Sequence, residues 1–187
     1  MFQAANAAEL GEPLASRRFD FIIFFASLEH MTHPERLAAM TRTWQMLSSG
    51  GLWCVVETPN RLWYYDHHTA QLDFFMWLSD ELAADYVRFS PRRDLRELVT
   101  QATDRQLALC RAGRGVSFHE FDLTLGPATE LNVVSSMPLF YRQRDPALRL
   151  YWRLSQDYPF EKFLMSCCPG LHRGFLQPTL FLIIRKP

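Results

Sequence analysis

The fold of this chain is decided by two stretches, FDFIIFFASLEH at residues 19–30 and GGLWCVVETPNR at residues 50–61. Each contains a short apolar run, at residues 19–25 and 52–56, that suits a strand buried on both faces of a parallel sheet. Polar residues follow both runs, and ligands of such sheets bind beyond the carboxyl ends of the strands. The sequence therefore predicts two parallel strands with a site where they end.

The segment between these strands is predicted to be a helix. Thr32 and Glu35 have the spacing of a capping box, and Pro34 lies in the first turn. Apolar residues then recur at helical spacing, at Leu37, Met40, Trp44 and Leu47. The run SSGG at residues 48–51 ends the helix. The whole unit is a strand–helix–strand crossover, which is expected to be right-handed.

Composition narrows the class of protein. A length of 187 residues fits one domain, and 48% hydrophobic and 14% aromatic residues argue against disorder. Lys+Arg and Asp+Glu balance at 20 each, which favours neither nucleic acid nor an anionic membrane as a partner. The apolar runs are far shorter than the ~20 residues of a membrane span, and no secretory signal is visible. We therefore expect a cytoplasmic protein, and the four cysteines, which form no C-x-x-C pair, to be free thiols.

Further elements are predicted after residue 61. Aromatic residues crowd positions 62–89, and this region continues as an insertion to about residue 112. Helices are expected over residues 78–86, with Ser79 as N-cap, over 91–112, and over 145–168, where a break at Pro159 is an alternative. Strands are expected over residues 116–125 and 179–185. No repeat or linker interrupts the chain, which predicts a single domain over residues 1–187.

Five short motifs then stand in order: FD-x-II from residue 19, SLEH from 27, PER from 34, L-x-x-GG from 47 and TPNR from 58. In order and spacing they resemble class I S-adenosylmethionine-dependent methyltransferases that act on small molecules. The resemblance implies an α/β, Rossmann-like methyltransferase sheet whose last strand, at residues 180–184, is antiparallel. It also implies methyl transfer from S-adenosylmethionine to a small-molecule acceptor.

The resemblance covers only the later part of that fold. The family's first strand, its Gly-rich turn and the acidic residue after its second strand have no counterpart before residue 19, so the N-terminal strands are expected to be missing. Asn6 stands where the family usually carries an aspartate near the adenine, and is the expected contact there. The strand at residues 19–25 would then have one edge whose backbone groups lack a partner strand. Such an edge can pair with a second copy of the chain, which favours dimerisation. Residues 1–18 could cover this edge, another chain could cover it, or the gene model starts too late.

The resemblance also implies cofactor contacts in the loop after the first strand. Ser27, Glu29 and His30 are expected on the cofactor side, although capping of the following helix is an equal alternative. Some quinone-type relatives bind a metal through a further carboxylate just upstream. Ala26 holds that position here, so no metal is expected.

The acceptor is expected on the side of the insertion. His67 and His68 are candidate catalytic bases, since histidine titrates near neutral pH, while surface polarity is the alternative. Asn60, Trp63 and His119 are candidate substrate contacts. The aromatic residues of the insertion either bind a flat or lipidic acceptor or form a core between lid helices. A different class of function is the alternative. The chain would then be a non-catalytic remnant of a methyltransferase that binds a partner chain, or a second copy of itself, through the unpaired strand edge.

Overall fold

The computed structural model of the protein describes residues 17–139, 147, 150, 153–155 and 157–187. The strands are β1 (Phe19–Phe25), β2 (Leu47–Pro59), β3 (Asn132–Ser136) and β4 (Thr179–Arg185). The α-helices are α1 (His33–Met46), α2 (Asp80–Tyr86), α3 (Arg93–Gln101), α4 (Arg105–Ala112), α5 (Phe118–Thr124) and α6 (Asp157–Cys167). Short 3-10 turns lie at Leu28–His30, Phe75–Trp77, Val87–Phe89 and Arg173–Leu176. The prediction for Asn6 falls outside these residues.

The four strands form one mixed sheet in the order β1-β2-β4-β3. β1 and β2 are parallel, with Phe21 opposite Leu52 and Phe25 opposite Val56. β4 runs antiparallel to both β2 and β3. The α/β class, the parallel pair and the antiparallel last strand are therefore confirmed.

The first turn of α1 is built as the sequence predicts. The Thr32 backbone N–H donates to Glu35 Oε2 at 2.8 Å, and the Glu35 N–H donates to Thr32 Oγ1 at 3.4 Å. The helix ends earlier than expected, at Met46, because Leu47 takes an extended conformation and is buried in the core. The chain enters β2 directly, and Gly50, at φ +76°, turns within the strand and bonds to the Lys186 carbonyl.

The main core lies on one face of the sheet. Side chains of the strands pack there against α1, α5 and α6; the buried members include Phe24, Trp53, Val55, Leu182, Met40, Phe121 and Leu164. A second cluster holds the insertion together, with Phe75, Ala83, Leu95, Val99 and Leu109 among its buried members. The core of the insertion is therefore mostly aliphatic, while Phe74 and Trp77 are exposed.

Two of the elements predicted from the sequence were wrong. Residues 116–125 form α5 instead of a strand, because Ser117 and Glu120 make a capping box and the apolar spacing also fits two helical turns. Only Val116 pairs as a strand would, in one bridge with Asn60. Residues 91–112 form two helices, since Asp104 starts α4 by capping the Leu107 N–H.

The C-terminal half contains a strand that was not predicted and one unbroken helix. β3 lies between α5 and α6 in the chain and has a bulge between Val133 and Ser135. α6 runs through Pro159, because this proline lies in the first helical turn, where its missing N–H costs nothing. The helix predicted over residues 145–168 is helical at residues 147, 150, 153 and 154 among those described, bends at Ser155, and continues as α6 from Asp157.

The opposite face of β1 is open. Phe21, Ile23 and Phe25 alternate onto it and are 54%, 49% and 57% exposed. The prediction that β1 is buried on both faces is therefore wrong for the residues that the structure describes, in which β1 is also the edge strand. Among these residues, no helix combines the length and the apolar character needed to cross a membrane.

Candidate active site at the carboxyl ends of β1 and β2

The site forms where β1 and β2 end side by side. A 3-10 turn, Leu28–His30, follows β1 and places two polar side chains beside the end of β2. Ala26 (φ 43°) and Glu57 (φ 58°) are both in the left-handed region, which is unfavourable for residues other than glycine. Such strained positions tend to cluster at functional sites.

Glu29 is the buried acid of this site, with no exposed surface. Its Oε2 accepts a hydrogen bond from Thr58 Oγ1 at 3.1 Å, which links the turn to the end of β2. Its backbone carbonyl accepts from the Arg114 N–H at 2.7 Å. Among the described residues, Oε1 has no hydrogen-bond partner. A buried carboxylate oxygen without a hydrogen bond is costly, so this atom is a candidate binding position.

Two histidines lie near this acid, and each has a contact at its Nδ1 atom. His30 Nδ1 lies 2.8 Å from the Arg111 carbonyl, so this nitrogen carries the proton. His68 Nδ1 lies 3.0 Å from Thr69 Oγ1, whose own proton goes to the Gly113 carbonyl at 2.8 Å. The hydroxyl therefore accepts from His68 Nδ1. Both rings are fixed in the tautomer that leaves Nε2 with a free lone pair.

The three side chains converge although they come from distant parts of the chain. His30 Nε2 lies 3.8 Å from Glu29 Oε1, and the His30 and His68 rings are 5.7 Å apart. One nitrogen or oxygen from each of the three lies within 4.8 Å of the others. The structure thus joins two of the predicted cofactor-side residues, Glu29 and His30, to one of the two predicted bases, His68.

Residues at the end of α4 connect the insertion to the turn after β1 through hydrogen bonds. Arg111 donates to the His30 carbonyl at 2.8 Å and binds both oxygens of Glu35, at 2.6 and 2.7 Å. The Cys110 thiol lies 3.2 Å from the Met31 carbonyl. The hydrogen bond from Arg111, followed by that from the Thr32 backbone, lowers the pKa of Glu35 to about 2. This carboxylate therefore stays ionised and holds the guanidinium beside the site.

Arg36 stabilises the turn after β1 through hydrogen bonds to its backbone. The sequence did not identify it as a functional residue. It is 2% exposed and donates to the Leu28 carbonyl at 2.9 Å and the Met31 carbonyl at 3.2 Å. It also binds Glu120 Oε1 at 2.8 Å and the carbonyls of residues 114 and 115. Its position in the PER motif was the only signal in the sequence. Arg36 joins α1, α5 and the turn that carries Glu29.

The other predicted histidines lie outside the cluster. His67 is exposed and packs edge-on against Tyr65, with ring centroids 4.6 Å apart. His119 is exposed on α5, where it stacks on Phe118 at 4.0 Å. Adjacent in sequence, His67 and His68 thus have different environments, and only His68 faces Glu29 and His30.

Asn60 and Trp63 are buried in the loop after β2. The Asn60 amide donates to the carbonyls of Phe175 and Gln177, both at 2.7 Å, and its Oδ1 accepts from the Leu62 N–H at 3.0 Å. Trp63 packs edge-on against a ring of α6 at 5.1 Å. The polar atoms of Asn60 are therefore used in holding the loop after β2.

Ser27, in the loop after β1, is half-buried, and its side chain makes no capping hydrogen bond.

Comparison with known proteins agrees with this architecture. A family model described as "Methyltransferase domain" matches residues 1–103, more than half of the chain. The match includes β1, the turn with Glu29 and His30, β2, and the loop with His68. No curated protein matches the sequence. The chain belongs to the methyltransferase domain family.

Proposed function

We propose that the chain transfers a methyl group from S-adenosylmethionine to a small-molecule acceptor at the carboxyl ends of β1 and β2. One observation carries the proposal: the turn after β1 and the insertion bring Glu29, His30 and His68 within 4.8 Å of one another. Parallel α/β sheets bind their ligands at this edge. The family match supports the reaction type, and the cluster supports this location for it.

The donor would lie along residues 26–30. Its sulfonium methyl group is the chemistry that S-adenosylmethionine supplies when bound. Ser27 fits a contact with its methionine end, because the hydroxyl is half-buried and is not used as a helix cap. Glu29 and His30 would contact the cofactor on the same side of the site. Asn6, the proposed adenine contact, is part of this proposal but lies outside the described residues.

The acceptor would lie on the side of His68. The hydrogen bond at Nδ1 leaves the Nε2 lone pair free to take the proton of an acceptor hydroxyl or amine. S-adenosylmethionine would supply the methyl carbon, and His68 Nε2 would receive the proton that the acceptor atom loses. His67 is exposed outside the cluster, so we narrow the proposed base to His68. Asn60 and Trp63 would act by stabilising the loop on the acceptor side. We propose no contact between His119 and the acceptor.

Calorimetric titration with S-adenosylmethionine and S-adenosylhomocysteine tests the donor side. Ser27→Trp places a bulky ring at the carboxyl end of β1 and should abolish binding. Ser49→Trp is the matched control, because Ser49 is an exposed serine at the opposite end of the sheet. Melting curves show whether both variants fold. Absence of binding to the unaltered chain, or equal binding by both variants, would overturn the proposal.

A second candidate function is assembly through β1. Its open face carries three exposed apolar side chains next to an edge without a strand partner in the described sheet. Such an edge can pair with the same edge of a second copy. Light scattering should then give a dimer, and Ile23→Lys should give a monomer. Leu123→Lys, at an exposed position of α5, should leave the dimer intact. A monomer at every concentration would contradict assembly and leave methyl transfer untouched.

A further inference from the structure

We propose that Glu29, His30 and His68 form a binding site for one divalent transition-metal ion, with zinc as the expected ion. The inference deepens the proposed function, because the ion would lie between the donor side and the acceptor side. The sequence led us to expect no metal, since Ala26 replaces a carboxylate in the loop. Folding supplies a different third ligand, His68, from the insertion.

The distances are suited to a metal site after a small adjustment. One candidate ligand atom of each residue lies within 4.8 Å of the others, and His30 Nε2 is 3.8 Å from Glu29 Oε1. Zinc bonds to nitrogen and oxygen are about 2.1 Å long, so two ligands of a tetrahedral ion are about 3.4 Å apart. The separation of 3.8 Å between His30 Nε2 and Glu29 Oε1 is close to this value, and binding would draw the three side chains closer together.

All three side chains are held by partners that leave the ligand atoms free. The Nδ1 atoms of His30 and His68 are bonded to Arg111 O and Thr69 Oγ1, which directs each Nε2 lone pair outward. Glu29 Oε2 accepts from Thr58, which leaves Oε1 for the ion. Metal-binding histidines almost always donate their second ring N–H in this way. The arrangement is therefore that of a metal site with its supporting hydrogen bonds.

The charge of Glu29 provides an independent observation. The side chain is fully buried, and its Oε1 has no hydrogen-bond partner among the described residues. At 3.8 Å, His30 Nε2 is too far for a hydrogen bond. An uncompensated carboxylate in this position is unfavourable, and a cation bound to Oε1 would compensate it.

The ligand set favours zinc over magnesium or calcium. Two imidazoles and one carboxylate are typical of zinc sites that keep a fourth position open, whereas magnesium and calcium select oxygen ligands. A hydroxyl of the acceptor in the open position would have a lower pKa. With zinc bound, His68 would hold the ion, the ion would favour loss of the acceptor's proton, and that proton would pass to solvent.

The experiment is a zinc titration of the full chain after removal of metal by a chelator. Cys167→Ser/Cys168→Ser is the background, because these adjacent thiols, one exposed and one half-buried, could bind zinc themselves. We expect one equivalent to bind, and His68→Gln to weaken binding at least about tenfold. His67→Gln is the matched control, since it removes the neighbouring exposed histidine and should leave the affinity unchanged.

Cobalt gives a second readout that does not depend on activity. One equivalent of Co²⁺ should produce visible absorption bands without a thiolate charge-transfer band, and His68→Gln should remove them. Absence of binding, or equal losses in the His67 and His68 variants, would overturn the metal site. Titration of the metal-free chain with S-adenosylhomocysteine tests the donor separately, so failure of either proposal is distinguishable from failure of the other.

Discussion

Arg36→Met should destabilise the protein more than any surface substitution. Arg36 is 2% exposed, pairs with Glu120 at 2.8 Å and donates to four backbone carbonyls. Methionine fills a similar volume but donates no hydrogen bond. The substitution leaves the Glu120 carboxylate without its buried cation and the carbonyls without their donors.

The expected magnitude follows from these contacts. Removing one partner of a buried ion pair costs about 3–5 kcal/mol of unfolding free energy. Each carbonyl left unpaired in the interior adds up to about 1–3 kcal/mol, less where water reaches it. Domains are stable by only about 5–15 kcal/mol, so the variant should be close to unfolding at room temperature. The turn with Glu29 should also loosen, because Arg36 binds the carbonyls at both of its ends.

Urea denaturation followed by tryptophan fluorescence measures this loss. Arg93→Met is the control, because that arginine is 82% exposed in its i,i+4 pair with Glu97 and should change stability by less than about 0.5 kcal/mol. Adding Glu120→Gln to Arg36→Met should recover part of the loss, since the unpaired buried charge is then gone. A loss below about 1 kcal/mol for Arg36→Met would refute the reasoning.

Three further predictions follow from individual contacts. Because Arg111 holds the pKa of Glu35 at about 2, below its usual 4.5, the stability from this pair is complete above pH 4.5 and is lost as the pH falls towards 2; Glu35→Gln should flatten the melting temperature over that range. Burial raises the pKa of Cys54, so iodoacetamide should modify exposed Cys167 first, and mass spectrometry of timed samples checks this order. Gly115→Ala should lower the melting temperature by several degrees, because its Cβ would lie 2.7 Å from a backbone nitrogen that cannot move aside.

Local signals in the sequence predicted the framework of the site correctly. The apolar runs predicted β1 and β2, and Thr32 and Glu35 predicted the start of α1, because strand burial and helix capping depend on residues close together in the chain. Residues 116–125 were misassigned for the same reason, since a short apolar pattern fits both a strand and a short helix. The capping box of Ser117 and Glu120 was a local signal for the helix, while the contact between Glu120 and the buried Arg36, 84 residues away in the chain, is not visible in the local pattern.

The sequence by itself determined that this chain builds a parallel β-strand pair of the methyltransferase type with polar residues at its carboxyl ends. Only the tertiary structure decided which histidine joins Glu29 and His30. His67 and His68 are equivalent as neighbours in sequence, and the insertion turns one to the surface and the other into the site. The physical reason is that contacts between distant segments depend on how helices dock, and here Arg111 and the end of α4 dock the insertion onto the turn after β1.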